Sequence, residues 1–337
     1  MTKTLQGRRL LVAALLAVAG VRSGAAQDTA GSVLLDQEEQ LRLLAALQQY
    51  DRVTPLTGRL VSRGSGGATI LVNRWIDDFA PLHPEAKFNI QGTGSTAGLD
   101  TLRHGGADIV PMSRPLNPAE ADSLTAAFGH PPLQIVVALD ALGVYVNRKN
   151  PIERLTFDQL DAIYSRAPRR GNTVAEHWAD VGVRGPFGEH LIIRYSLDSV
   201  HSIYGLVRDT VLRDEDYRFD IQFERVPRGL VQSVGADDGG IALASIIFAT
   251  RRTRLVPLVG ADGVAYPPNY EEVSSGRYPL ARPIYVVVNK TPGQPLQPLV
   301  LEFLRFVLSR RGQQIAAFGG NYPITPQQQQ QALAQLE

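Results

Sequence analysis

The sequence predicts an α/β fold in two lobes joined by two strands. Three observations lead there. From residue 59 onward, apolar strand-like runs alternate with helix-like patterns, the rhythm of a parallel α/β sheet. Two apolar runs, 133–147 and 284–289, bracket a segment with strands and helices of its own, so the chain leaves a first lobe near Leu142 and returns near Arg282. The length of 337 residues suggests two domains or lobes.

The elements follow in order. Residues 1–26 have the parts of a secretory signal: basic Lys3, Arg8 and Arg9, an apolar stretch over 10–19, and small Gly24 and Ala26 before a cleavage site at Gln27. The apolar run is too short to span a bilayer as a mature helix. An extension, 27–58, carries one amphipathic helix over 33–49, with Leu34, Leu35, Leu41, Leu44 and Leu47 at helical spacing, packed on the body. The first lobe, 59–141 and 283–325, reads as strands 59–62, 87–91 and 107–112 and helices 69–79, 95–104 and 118–128. Ile70, Trp75, Ile76 and Phe79 are the main apolar residues of its first helix. Residues 133–147 read as one long strand. The second lobe, 142–282, has helices at 157–164, 200–212 and 229–234 and strands at 191–195, 219–226 and 241–247. One helix over 296–318 completes the first lobe, and a polar, frayed tail, 326–337, closes the chain.

Composition excludes several chemistries. The chain has no cysteine, which removes disulfides, zinc-thiolate sites and thiol nucleophiles. A formal net charge of +1 gives no electrostatic case for nucleic acid. Gly-x-Ser-x-Gly, Walker A and His-Glu-x-x-His sequences are absent, and the six histidines are scattered, with His201 the one to watch for its position. Gly92-x-Gly94-x-x-Ala97 loosely fits a dinucleotide fingerprint, but the next strand has its acid, Asp108, at the start rather than the end. No metal, cofactor or catalytic group is expected.

The informative stretches are Arg63-Gly64-Ser65-Gly66-Gly67-Ala68-Thr69 and Gly92-Thr93-Gly94-Ser95-Thr96-Ala97-Gly98. Each follows a strand and opens a helix. Such a start presents unpaired N–H groups and a partial positive charge to an anion. In parallel sheets both loops fall at the carboxyl ends, where ligands sit. Ser65 and Ser95 can donate hydroxyl hydrogen bonds there. Ser113 and Arg114 close the third strand, and Arg194 closes the strand from Leu191, adding charge-assisted donors.

With those residues in place, the chain resembles the periplasmic phosphate-binding proteins of ABC phosphate importers over about residues 59–325. The matching stretches are Gly64-Ser65 with Thr69 and Trp75, then residues 91–98. They continue through Asp108-Ile109-Val110-Pro111-Met112-Ser113-Arg114-Pro115-Leu116, residues 138–147, Asn150-Pro151-Ile152 and Tyr278-Pro279-Leu280-Ala281-Arg282-Pro283-Ile284-Tyr285. The resemblance implies a two-lobe periplasmic-binding-protein-like fold, with two mixed sheets flanked by helices and joined by two hinge strands. It implies a soluble, monomeric, exported binding protein that breaks no bond. This protein closes on phosphate or a similar oxyanion and hands it to an ABC permease. Its implied contacts are Ser65, the Ala68 N–H, Ser95, Ser113, Arg114 and Arg194. Where the family places Ser-Gly-Thr after the cleft arginine, the spacing from Arg194 gives Asp198-Ser199-Val200, leaving Ser199 as one hydroxyl donor. Arg114 stands where the best-known members carry an acid that accepts the ligand's proton. These departures motivate an alternative, a sensor or interaction protein that no longer transports phosphate.

Overall fold

A computed structural model describes residues 37–337; the expected secretory signal, Leu34 and Leu35 lie outside the described residues. The first sheet is built by β1 (Gly58–Arg63), β2 (Ala86–Gln91), β3 (Val110–Met112), β4 (Leu133–Ala138) and, late in the chain, Ile284–Val288. β1 and β2 run parallel, from Gly58 opposite Ala86 to Arg63 opposite Gln91. A parallel bridge between Ser62 and Ile109 carries the sheet on to β3. Ile284–Val288 then lies antiparallel between β3 and β4.

The second sheet takes β5 (Leu142–Asn147), β6 (Ile193–Leu197), β7 (Gln222–Glu224), β8 (Gly240–Ser245) and β9 (Thr253–Val256) in the order β7-β6-β8-β5-β9. β6 is parallel to β7 and β8, whereas β5 is antiparallel to β8 and β9. Both sheets are therefore mixed. A hairpin of β10 (Leu258–Val259) and β11 (Ala265–Tyr266) follows, and Ile284–Val288 is β12.

Helices cover both sheets: α1 (Gln37–Ala45), α2 (Gly66–Phe79), α3 (Ser95–Arg103), α4 (Pro118–Phe128), α5 (Phe157–Tyr164), α6 (Ser202–Thr210), α7 (Pro227–Ala236), α8 (Tyr270–Ser274), α9 (Pro298–Leu308), α10 (Arg310–Phe318) and α11 (Pro326–Leu336). Each sheet has its own apolar core. Trp75, Phe79, Phe303 and Phe306 pack on one face of the first sheet, and Leu99, Leu102 and Met112 on the other. Tyr145, Tyr164, Trp178 and Leu243 centre the second. α2 turns Leu71 and Val72 inward and leaves Ile70 at the surface, 55% exposed, so Ile70 is not a core residue of that helix.

Local expectations change at several places. Residues 133–147 form two strands, because Leu139-Asp140-Ala141 leaves one sheet for the other. Its backbone groups find new partners: Leu139 pairs with Tyr322, the Asp140 carbonyl accepts from Arg282 N at 2.7 Å, and the Ala141 carbonyl accepts from Ile246 N. The helix expected over 296–318 breaks at Ser309, whose extended backbone (ψ 165°) ends α9 and starts α10. The Ser309 hydroxyl donates to the Phe306 carbonyl and accepts from Gly312 N, closing one helix and opening the next.

The tail is ordered rather than frayed. Thr325 and Gln328 form a capping box at the start of α11, and Gln329, Ala332 and Leu336 are buried. The Gln329 side chain accepts from Gln48 N and donates to the Leu308 carbonyl. This ties the tail to the N-terminal extension, where α1 packs on α10 and Leu44 and Leu47 are buried. The Arg310 guanidinium donates to the Ala45 and Leu47 carbonyls. Finally, β6 sits two residues later than the apolar run suggests, and α6 starts at Ser202 rather than Val200.

Candidate functional site

β1, β2 and β3 run in the same direction, so their carboxyl ends, and the loops that follow, meet at one edge of the first sheet. Backbone bonds weld these loops. Ser65 N donates to the Pro111 carbonyl at 2.8 Å, Gly64 N to Gln91, and Gly94 N to Gly64 at 2.8 Å. Two glycines are required by contact: a Cβ at Gly64 would lie 2.3 Å from the Pro111 oxygen, and one at Gly98 would lie 2.5 Å from the Arg63 oxygen. Gly66 faces open space instead.

The Ser65 and Ser113 hydroxyls stand 3.0 Å apart. Ser65 is the N-cap residue of α2 but makes no capping hydrogen bond, its hydroxyl being shared with Ser113. The first intrahelical bond of α2 is Thr69 N to the Ser65 carbonyl, which leaves the Gly66, Gly67 and Ala68 N–H groups as open donors. α3 repeats the arrangement: its N-cap is Gly94 (φ 90°), its first bond is Gly98 N to Gly94, and Ser95, Thr96 and Ala97 start it without a side-chain cap. A Cβ at Gly92 would lie 3.0 Å from the Gly66 Cα, so the two helix starts adjoin.

This openness is selective. α4, α5, α8, α9, α10 and α11 each receive a capping side chain, from Asn117, Thr156, Asn269, Gln297, Ser309 and Thr325. α2, α3, α6 and α7 have neither a side-chain cap nor an acidic residue in the first turn. All four follow the carboxyl end of a strand, two in each sheet. Uncapped N–H groups and an uncompensated helix dipole are the chemistry that receives an anion.

Arg114 lies beside this pair of hydroxyls in sequence, half-buried, and is engaged by Glu120. Its two terminal nitrogens bond the two carboxylate oxygens at 2.7 and 2.6 Å. These bonds hold the Glu120 carboxyl below the usual range and raise Arg114. The capping sequence Asn117-Pro-Ala-Glu120 is readable in the chain; its role toward Arg114 is not, because five residues of loop and helix lie between them.

Arg194 is a correction. It is 4% exposed and turned into the second sheet's own layer. Its guanidinium donates to the Ile163, Ile192 and Ala175 carbonyls and pairs with Asp220 at 3.0 Å and Glu176 at 3.3 Å. Burial and the neighbouring Arg218 lower its pKa. Arg194 pairs with Ile241 of β8, whereas Ser245 at the end of β8 bonds Asp140 at the crossing. Four residues at about 3.3 Å each place Arg194 about 13 Å back along the sheet from that end. It is a structural arginine, and no donor of it is left for a ligand.

The shift of α6 also moves the helix-start triplet. Asp198-Ser199-Val200 forms the turn before the helix, with Asp198 accepting from Val200 N, and Ser199 and Val200 are exposed. Ser199 therefore does not hold the helix-start position that spacing from Arg194 gives it. His201 is the N-cap residue instead, its Nε2 bonded to the Arg225 carbonyl at 2.7 Å. Among the described residues, no group of three or more His, Asp or Glu could hold a metal ion, and no helix is long and apolar enough to cross a membrane.

Known proteins share this architecture. A family model described as a PBP superfamily domain matches residues 51–311. The phosphate-binding protein PstS of Pseudomonas aeruginosa is 31% identical over 331 residues, covering 98% of each chain. The chain belongs to the phosphate-binding-protein family of the PBP superfamily. A second member, PstS of Staphylococcus aureus, is 26% identical over 79% of each chain. The fold is that of a possible phosphate-binding protein from Planctomyces limnophilus (TM-score 0.66, 23% identity, 83% of this chain and 99% of that one). An ABC-type phosphate transport receptor from Vibrio cholerae is similar in fold as well (TM-score 0.65, 20% identity, 78% and 99%).

Proposed function

We propose that this chain is an exported binding protein that captures inorganic phosphate and delivers it to the permease of an ABC importer. The observation that carries this reading is the pair of uncapped helix starts, α2 and α3, opening beside the Ser65–Ser113 hydroxyl pair. Together they offer the N–H groups of Gly66, Gly67 and Ala68, the first turn of α3 with Ser95, and two further hydroxyls. A tetrahedral oxyanion has acceptors enough to use them all. Arg114 adds charge-assisted hydrogen-bond donors. The relatives named phosphate-binding proteins support phosphate as the ligand.

The two sheets, each with its own core and joined at 139–141 and 281–283, act as lobes, 59–141 with 283–325 and 142–282. α6 and α7, the uncapped starts of the second lobe, close over the anion by rotation about the two crossings. Binding needs no bond to be broken. Isothermal titration of the signal-free protein with phosphate and then sulfate tests the reading: phosphate binds, and the sulfate titration shows whether the site discriminates without the acid that Arg114 replaces. Binding of neither anion favours the sensor or interaction protein instead.

A further inference from the structure

We infer that Glu120 is a positioning residue for the anion site: it locks Arg114 so that one edge of the guanidinium, Nε–H with one Nη2–H, is presented to the ligand. The inference rests on the phosphate reading above. An arginine has five N–H donors in a rigid plane. In Arg114, Nη1 gives one hydrogen to Glu120 at 2.7 Å and its other to the Pro115 carbonyl at 3.0 Å, and Nη2 gives one to Glu120 at 2.6 Å. Three donors are thereby spent on the chain. The two that remain lie side by side and form a bidentate edge, the geometry that fits two oxygens of a phosphate. The Arg114 side chain keeps 38% of its surface exposed, while the Glu120 side chain keeps 15%.

Glu120 is itself fixed. Its carboxylate also accepts from Asn117 N at 3.0 Å, and its own N–H donates to the Asn117 side chain at 2.8 Å. α4 thus anchors the carboxylate, the carboxylate anchors the fork of Arg114, and Ser113, one residue before, holds the Ser65 hydroxyl. A fixed guanidinium loses little side-chain freedom when the anion arrives. The carboxylate also balances the arginine's charge, so attraction for the anion acts through two oriented hydrogen bonds more than through net charge.

Phosphate titration calorimetry on wild type, Glu120→Ala, Arg114→Ala, the double variant and Asn117→Ala tests this, with thermal midpoints alongside. The expected result is a loss of about tenfold or more in affinity for Glu120→Ala, in line with a charge-assisted bond disorganised. Glu120→Ala should cost nothing further in the Arg114→Ala background, because Glu120 acts through Arg114. Asn117→Ala removes the side chain that fixes the start of α4 but keeps the Asn117 N–H to the carboxylate, and should lose part of the affinity that Glu120→Ala loses. A gain in affinity in Glu120→Ala would make Glu120 a competitor for Arg114 and overturn the inference. So would unchanged affinity, or an equal loss in both backgrounds. Failure of the wild type to bind phosphate overturns the functional reading itself.

Discussion

Asp140 and Arg282 form an ion pair at the place where the chain crosses twice between the two sheets. Arg282 Nη2 meets Asp140 Oδ2 at 2.6 Å, and their side chains are 13% and 5% exposed. Ser245 donates to the other carboxylate oxygen at 2.7 Å, and Arg282 N donates to the Asp140 carbonyl. One carboxylate thus ties both crossing segments to the end of β8.

Removing one partner of a buried pair leaves the other charged and unmatched, which costs about 3–5 kcal/mol. Asp140→Ala should lower the urea midpoint by that amount of stability with an unchanged m-value. A midpoint within error of wild type would show that the crossing does not depend on the pair.

Arg194→Ala should destabilise the protein and spare the anion site. The change orphans the buried Ile163, Ile192 and Ala175 carbonyls, at about 1 kcal/mol or more each, so a loss of about 3 kcal/mol is expected. Phosphate affinity, measured well below the lowered thermal midpoint, should stay within about threefold of wild type. A loss of several orders of magnitude would return Arg194 to the site.

Why Arg194 misleads is instructive. Arginine at a strand end beside a helix start looks like a ligand contact, and its sequence does not show whether the side chain points to the cleft or into the layer. The answer lies in Glu176, Asp220 and the Ile163 carbonyl, which come from three distant segments. The glycine loop before α2 and the helix start at Ser95 are legible because the signal is local: strand, glycines, serine, then helical spacing; α2 itself begins at Gly66, three residues before the expected 69. Ser309 and Thr325 carry local capping signals as well, yet hydrophobic spacing over 296–318 and the polarity of 326–337 outweigh them in a reading by composition. The break at Leu139-Asp140-Ala141 has no local signal, since both flanking strands are buried and apolar.

Glu120 gives a pH dependence with a definite sign. Its folded pKa is depressed, chiefly by the hydrogen bonds from Arg114. A depressed carboxyl contributes stability that is fully present above its unfolded value, about 4.3, and is lost as pH falls through the lower folded value. Thermal midpoints followed from about pH 6 downward should therefore drop less steeply in Glu120→Gln than in wild type below about pH 4.3. Parallel curves would contradict the coupling.

On the phosphate reading, the starts of α2 and α3 receive the anion. Amide chemical-shift mapping by TROSY NMR, as phosphate is added to the signal-free protein, tests it most directly. The largest shifts are expected at the N–H groups of Gly66, Gly67, Ala68, Ser95, Thr96 and Ala97, with Ser113 beside them. Saturable binding with those amides unmoved, and the shifts gathered elsewhere, would contradict it.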